Sequence, residues 1–260
     1  MKMKHWFSRL RSYLIFFPLL LFYTALLGTL SLCASFFDKD GNRQHALGRR
    51  WARWILRTCM IPLEVEGLDN VDAGRAQLYI ANHQSAMDIP IVYAALPVQF
   101  RILAKKELFS YPFLGWHLKR SGQILIDEKS ATASMRSVNR TVDALRSGMP
   151  VLIFAEGGRS PDGRIMPFQK GAFIAAAKAQ VEIVPMALVG VYELLPMNTY
   201  HVKPRPVQLI IGRPISTAGF SARDAGKLTA KTQNVIEDMY YARSPVHDPR
   251  GSAAEMSSSA

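Results

Sequence analysis

From Ser12 to Phe37 the chain runs 26 residues without a charged side chain. As one helix such a run extends about 39 Å at about 1.5 Å per residue, enough to cross a bilayer core of about 30 Å. Ahead of it stand Lys2, Lys4, Arg9 and Arg11 with no acid among them. The positive-inside bias therefore keeps the extreme N-terminus in the cytoplasm. A cleaved signal peptide is the simplest alternative, but the run exceeds the usual apolar region of about 7 to 15 residues, and Leu32-Cys33-Ala34 is a poor small-residue cleavage site. A retained membrane segment is expected. Pro18 and Gly28 are placed to break it into a re-entrant hairpin that returns the chain to its starting side; one straight span with the domain beyond it is the alternative.

The next stretch, Leu47 to Ile61, interleaves Arg49, Arg50, Arg53 and Arg57 with Trp51, Trp54, Ile55, Leu56 and Met60. Arg50, Arg53 and Arg57 share one helical face, and the indoles suit headgroup depth, so this reads as an interfacial helix. The formal charge of +12 points to anionic surroundings. Membrane lipids and an anionic membrane surface fit better than nucleic acid, because the cations cluster beside apolar segments and no nucleic-acid module is visible. Cys33 and Cys59 lack metal or redox spacing, and no disulfide is expected.

From Leu63 onward, short β-branched runs alternate with helical patterns, which predicts one α/β domain over residues 63–243 behind N-terminal helices over 1–62. Strands are expected at Gln77 to Ala81, Phe100 to Ala104, Gly122 to Asp127, Pro150 to Ala155, Glu182 to Val189 and Val207 to Gly212. Helices are expected at Ser130 to Arg146, at Gly171 to Ala179 and within Ser221 to Arg243. The polar stretch 244–260, with Pro, Gly and a Ser triplet, reads as a disordered tail.

Several chemistries are excluded by missing parts. There is no G-x-S-x-G nucleophile elbow and no H-E-x-x-H metal helix. The loop Gly158 to Gly163 is followed by Arg164 and Ile165 instead of the Lys and Ser/Thr of a nucleotide-binding loop, and the six His residues are too dispersed for a zinc site. What remains is Asn82-His83-Gln84-Ser85-Ala86-Met87-Asp88 at a strand end. His83 and Asp88 would sit about 140° apart on a continuous helix, so a shared site needs a turn between them. Given that turn, the carboxylate fixes the imidazole tautomer and frees the other nitrogen as a general base. The structural alternative is a capping box between Ser85 and Asp88, and the two are compatible.

A second cluster is Phe154-Ala155-Glu156-Gly157-Gly158-Arg159-Ser160. Its glycines let backbone approach a ligand and its Arg offers a planar fork for phosphate oxygens; an ordinary turn with a surface cation is the alternative. Lys105-Lys106-Glu107-Leu108 sets further cations at another strand end.

In this order the segments resemble the phospholipid/glycerol acyltransferase family. His83 through Asp88 matches its first motif, His-four residues-Asp. Lys105 through Leu108 with Pro112 and Gly115 looks like the second, Phe154 through Ser160 like the third, and Ile183-Val184-Pro185-Met186 like the fourth. The resemblance implies an α/β fold, a mixed sheet flanked by helices, behind an N-terminal membrane-embedded helical hairpin. It implies a membrane-bound enzyme that moves a fatty acyl group from an acyl thioester, acyl-CoA or acyl-carrier protein, to a lysophospholipid hydroxyl, with 1-acyl-glycerol-3-phosphate to phosphatidate favoured. No cofactor or metal is implied. Carried over by position, His83 is the base and Asp88 its orienting partner, Lys105 and Arg159 contact the acceptor phosphate, and Glu156 and Gly157 shape the pocket. The active site would face the cytoplasm, at the inner membrane if the protein is bacterial. The sequence departs at Ala155 and Gly158, where the family has Pro and Thr, and at Glu128, where it often has Arg. Another lipid acceptor, or a non-catalytic lipid-binding role, is the competing reading.

Overall fold

The structure, a computed structural model, describes residues 2–127 and 130–250. Glu128 and residues 251–260 of the expected tail lie outside the described residues.

Among the described residues, seven strands form one sheet: β1 (Leu63–Glu66), β2 (Leu78–Ala81), β3 (Arg101–Lys105), β4 (Ile124–Ile126), β5 (Val151–Phe154), β6 (Ile183–Val189) and β7 (Val207–Ile211). Their spatial order is β1-β7-β6-β2-β5-β3-β4, with β6 and β7 antiparallel and the other neighbours parallel. Alternation along each strand dictates the layers. In β2, Leu78 and Ile80 enter one core while Tyr79 and Ala81 enter the other, and all four are buried. Strand β1 was not foreseen. Leu63 and Val65 alternate with exposed Glu64 and Glu66, an edge-strand pattern only four residues long.

The helices are α1 (Lys2–Arg11), α2 (Phe17–Ala34), α3 (Asn42–Thr58), α4 (Asp88–Ala95), α5 (Leu114–Arg120), α6 (Ala131–Arg146), α7 (Gly171–Ala179), α8 (Val191–Leu194) and α9 (Ala225–Tyr241). Residues of α3 and α4 share one core with Tyr79 and Met186, while α6, α7 and α9 close the other face over Leu78 and Ile183. Ser130 caps α6 by accepting the Ala133 N–H at 3.1 Å.

The N-terminal run departs from the expected break at Pro18 and Gly28. From Trp6 to Ala34 the chain is one helix long and apolar enough to cross a membrane. A π-helical turn over Ser12–Phe16 precedes α2 and leaves Pro18 in that helix's first turn, where its missing N–H costs least. Gly28 stays helical; a Cβ there would stand 3.7 Å from Phe113. The chain reverses instead over residues 35–41, where Gly41 adopts φ +76°. Helices α2 and α3 then run antiparallel: Trp51 Nε1 donates to Thr24 Oγ1 at 3.0 Å, and Gln44 Nε2 to Ser31 Oγ at 3.4 Å. Leu14, Leu21, Phe22 and Leu30 remain exposed on the outer side, and Arg50, Arg53 and Arg57 form an exposed stripe on α3.

At the other end, the first part of the expected tail carries contacts back to α9. Arg250 reaches Asp248 at 2.7 Å, Asp238 at 2.9 Å and Glu237 at 3.4 Å, anchors that a reading of composition does not weigh.

Candidate active site

The carboxyl ends of β2, β5 and β3 lie side by side, and each releases one of the polar segments singled out above. Crevices at strand carboxyl ends are where open α/β sheets bind ligands. The segment after β2 is fastened first. Asn82 Nδ2 donates to the Leu188 carbonyl at 3.0 Å and its Oδ1 accepts the Leu188 N–H at 2.7 Å, so an amide side chain extends the β2–β6 ladder by one step. Ser85 Oγ donates to the Leu195 carbonyl at 2.8 Å and accepts the Met87 N–H.

Between these anchors the chain turns, and the turn brings His83 and Asp88 together: Nδ1 lies 2.7 Å from Oδ2. The same Oδ2 accepts the N–H groups of Gln84 at 2.7 Å and Ser85 at 2.9 Å. An oxygen already accepting two amides is an acceptor for the third partner, so Nδ1 carries the proton and Nε2 the lone pair. Asp88 is the first residue of α4, whose N-cap, Met87, makes no side-chain cap bond; the Asp88 carboxylate instead ties the turn ahead of the helix and orients the imidazole. Asp88 is fully buried, whereas the His83 side chain keeps 18% of its surface. Phe154, at the end of β5, stacks on the imidazole with centroids 4.3 Å apart.

His83 opens into a cavity of about 1240 Å³. Lys105, Lys106, Gly157, Gly158 and Arg159 line it, and so do Leu27, Gly28, Trp51 and Leu114 from the hairpin and α5. The cations and His83 come from strand ends, and the apolar walls from helices. Lys106 is paired with Asp127 at 3.1 Å, while Lys105 is exposed and Arg159 half-buried. His117 also lines the cavity; its Nδ1 lies 2.7 Å from Ser31 Oγ, and burial lowers its pKa to about 4, leaving it neutral.

Glu156 is not among the lining residues. Its carboxylate turns back into the fold, Oε1 accepting the His83 N–H at 2.6 Å and Oε2 the Met166 N–H at 2.8 Å. It ties the His83 loop to the β5 loop rather than presenting charge to a ligand. Burial raises its pKa from 4.5 to about 8, against the two amide bonds, which lower it. A folded-state pKa raised above the unfolded one contributes stability below about pH 4.5 that is lost as pH rises through about 8. The melting temperature of the wild type should therefore fall relative to Glu156→Gln between those values. A constant offset between the two proteins across that range would show that the carboxyl stays ionised throughout.

The sequence motifs assign no role to Asn82 or Phe154. The signal for Asn82 was an amide directly after a predicted strand; nothing in the sequence marks Phe154 as the partner of His83.

A family model described as Acyltransferase matches residues 62–189. The 1-acyl-sn-glycerol-3-phosphate acyltransferase of Helicobacter pylori is 31% identical over 179 residues, covering 67% of this chain and 74% of the relative. The chloroplastic 1-acyl-sn-glycerol-3-phosphate acyltransferase BAT2 of Brassica napus is 29% identical over 205 residues, covering 77% of this chain and 59% of the relative, so the chain spans under two thirds of that protein. The crystal structure of the 1-acyl-sn-glycerophosphate (LPA) acyltransferase of Thermotoga maritima superposes with a TM-score of 0.75 at 26% identity, covering 90% of this chain and 94% of the other.

Proposed function

This chain belongs to the acyltransferase family, and from that premise we propose that it transfers a fatty acyl group from an acyl thioester to the free hydroxyl of 1-acyl-glycerol-3-phosphate, yielding phosphatidate. The observation that carries the reading is the 2.7 Å contact between His83 Nδ1 and Asp88 Oδ2 at the mouth of a cavity with cationic and apolar walls. The acceptor hydroxyl gives its proton to His83 Nε2 as its oxygen attacks the thioester carbonyl. Asp88 stabilises the imidazolium that forms, and collapse of the tetrahedral intermediate expels a thiolate that takes the proton back from His83. Lys105 and Arg159 hold the acceptor phosphate, and the apolar wall takes acyl chain.

The N-terminal helix supports attachment to one face of the membrane. Near its start, Ser8 Oγ lies 2.8 Å from His201 Nε2 and Ser12 Oγ donates to the Val202 carbonyl at 3.3 Å. Near its end, Ser31 meets His117 and Ser35 accepts from Arg120 Nε at 2.9 Å. A helix fastened at both ends to one domain inserts from that domain's side, and its outward Leu14, Leu21, Phe22 and Leu30 enter the lipid. The active site then faces the cytoplasm with the thioesters. Washing membranes with about 1 M salt should leave the intact protein bound, because charge attraction is screened over about 3 Å there while apolar burial is not. Release into the supernatant would refute insertion.

The purified protein, given acyl-CoA or acyl-carrier protein and a panel of lyso-lipids, should form phosphatidate by mass spectrometry. Turnover of every acceptor except 1-acyl-glycerol-3-phosphate would overturn the choice of acceptor, and no acyl transfer with any would overturn the reaction.

A further inference from the structure

Acyl transfer places negative charge on the thioester carbonyl oxygen, and preorganised donors must meet it. The loop after β5 offers two. The His83 peptide is held on both sides by this loop, its N–H by Glu156 Oε1 at 2.6 Å and its carbonyl by the Ser160 N–H at 2.8 Å. Gly157, Gly158 and Arg159 bridge these anchors, so the bridge passes alongside the catalytic histidine. Gly157 has φ +73°, and a Cβ there would collide with the Gln169 side chain, so the bend requires glycine. Its own N–H is taken by the Phe154 carbonyl at 3.2 Å. Between that bond and the one from Ser160, the N–H groups of Gly158 and Arg159 have no acceptor among the described residues. Both residues line the same cavity as His83, and a Cβ on Gly158 would meet nothing within 4 Å. Both residues are half-buried, and successive backbone donors without a protein acceptor are available to an anionic group in the cavity.

We propose that the backbone N–H groups of Gly158 and Arg159 are the oxyanion donors of the acyl transfer; this rests on the thioester reading above. The acceptor oxygen bonds to the carbonyl carbon as its proton passes to His83 Nε2, and the carbonyl π pair moves onto the oxygen that the two amides hold. When that pair re-forms the double bond, the C–S bond breaks and the thiolate takes the proton from His83. The same residue then has two separable jobs: the Arg159 side chain binds acceptor phosphate and its main chain binds the developing charge. The family's Thr is dispensable at position 158 on this account, because the N–H is what acts and Gly keeps it.

The test replaces the peptide N–H of residue 158 or of residue 159 by an ester oxygen, through α-hydroxy acid incorporation into the full chain. Each replacement should lower kcat by about 10²-fold, with acceptor KM changed less than about twofold. Affinity for a phosphonate mimic of the tetrahedral intermediate should fall with kcat, while a non-reactive thioether analogue of the donor binds as before. Wild-type kcat in both ester variants would overturn the proposal. So would a raised acceptor KM at unchanged kcat, which would assign the amides to the phosphate, or a parallel loss of phosphonate and thioether binding, which would make them merely structural. Absence of acyl transfer by the unmodified protein would instead strike at the thioester reading, a result distinct from wild-type turnover that the ester variants retain.

Discussion

His83→Ala should lower kcat by about 10² to 10⁴ while the protein stays folded and membrane-bound, because positioned proton transfer contributes about that much. The fold should survive since the imidazole sits at the cavity wall and not in a core. Its removal leaves Asp88 Oδ2 with the Gln84 and Ser85 amides, so the turn ahead of α4 keeps its ties, and the His83 peptide keeps its bonds to Glu156 and Ser160. What is lost is the base and its stack on Phe154. The measurement is kcat for lyso-lipid acylation alongside a thermal melt, and near-wild-type turnover at an unchanged melting temperature would remove His83 from the chemistry.

Asp88 separates capping from catalysis. Asn and Asp are comparable caps, so Asp88→Asn should preserve the start of α4 if capping were its whole role. An amide oxygen cannot stabilise an imidazolium as a carboxylate does, so turnover should fall sharply if it orients a base. Asp88 Oδ1 is buried without a hydrogen-bond partner among the described residues, and an amide NH₂ placed there would add an unsatisfied donor costing about 1–3 kcal/mol. Turnover must therefore be compared at equal folded fraction.

How much of this could be read in advance follows from what local sequence encodes. Short β-branched and apolar runs located six strands within a residue or two, since strands covered on both faces, such as β2 and β6, are apolar throughout. The contact of His83 with Asp88 was legible because both lie on one turn, five residues apart. Glu156 was not, because its partners, the His83 and Met166 amides, are set by the crossing of two loops 73 and 10 residues away in sequence. The reversal at 35–41 escaped for another reason: Pro18 and Gly28 look like breakers in isolation, but a proline in a helix's first turn and a glycine on a packed face both leave the helix intact. Parallel strands brought together by crossovers likewise made neighbours of Lys105, Arg159 and His83, which no spacing could place in one cavity.

Arg159→Ala should raise the KM of phosphate-bearing acceptors by about 10- to 100-fold at nearly constant kcat, since a hydrogen bond to a charged group contributes about 1.5–3 kcal/mol and binding made equally in ground and transition states appears in KM. The neighbouring Arg164 is paired with Asp162 at 3.8 Å, whereas among the described residues no carboxylate pairs with Arg159, which lines the cavity without an internal competitor for its guanidinium. Lys106 has such a competitor in Asp127, and Lys105 is exposed to screening solvent, so Lys105→Ala should produce the smaller rise. Arg159→Lys should recover only part of the affinity, because an ammonium cannot reproduce a bidentate fork on phosphate oxygens. The control is an acceptor of equal chain length that lacks phosphate: its KM should be indifferent to Arg159→Ala. Equal losses with both acceptors would mean that Arg159 shapes the cavity wall instead of recognising the headgroup, and would return the acceptor to the wider class of lyso-lipids.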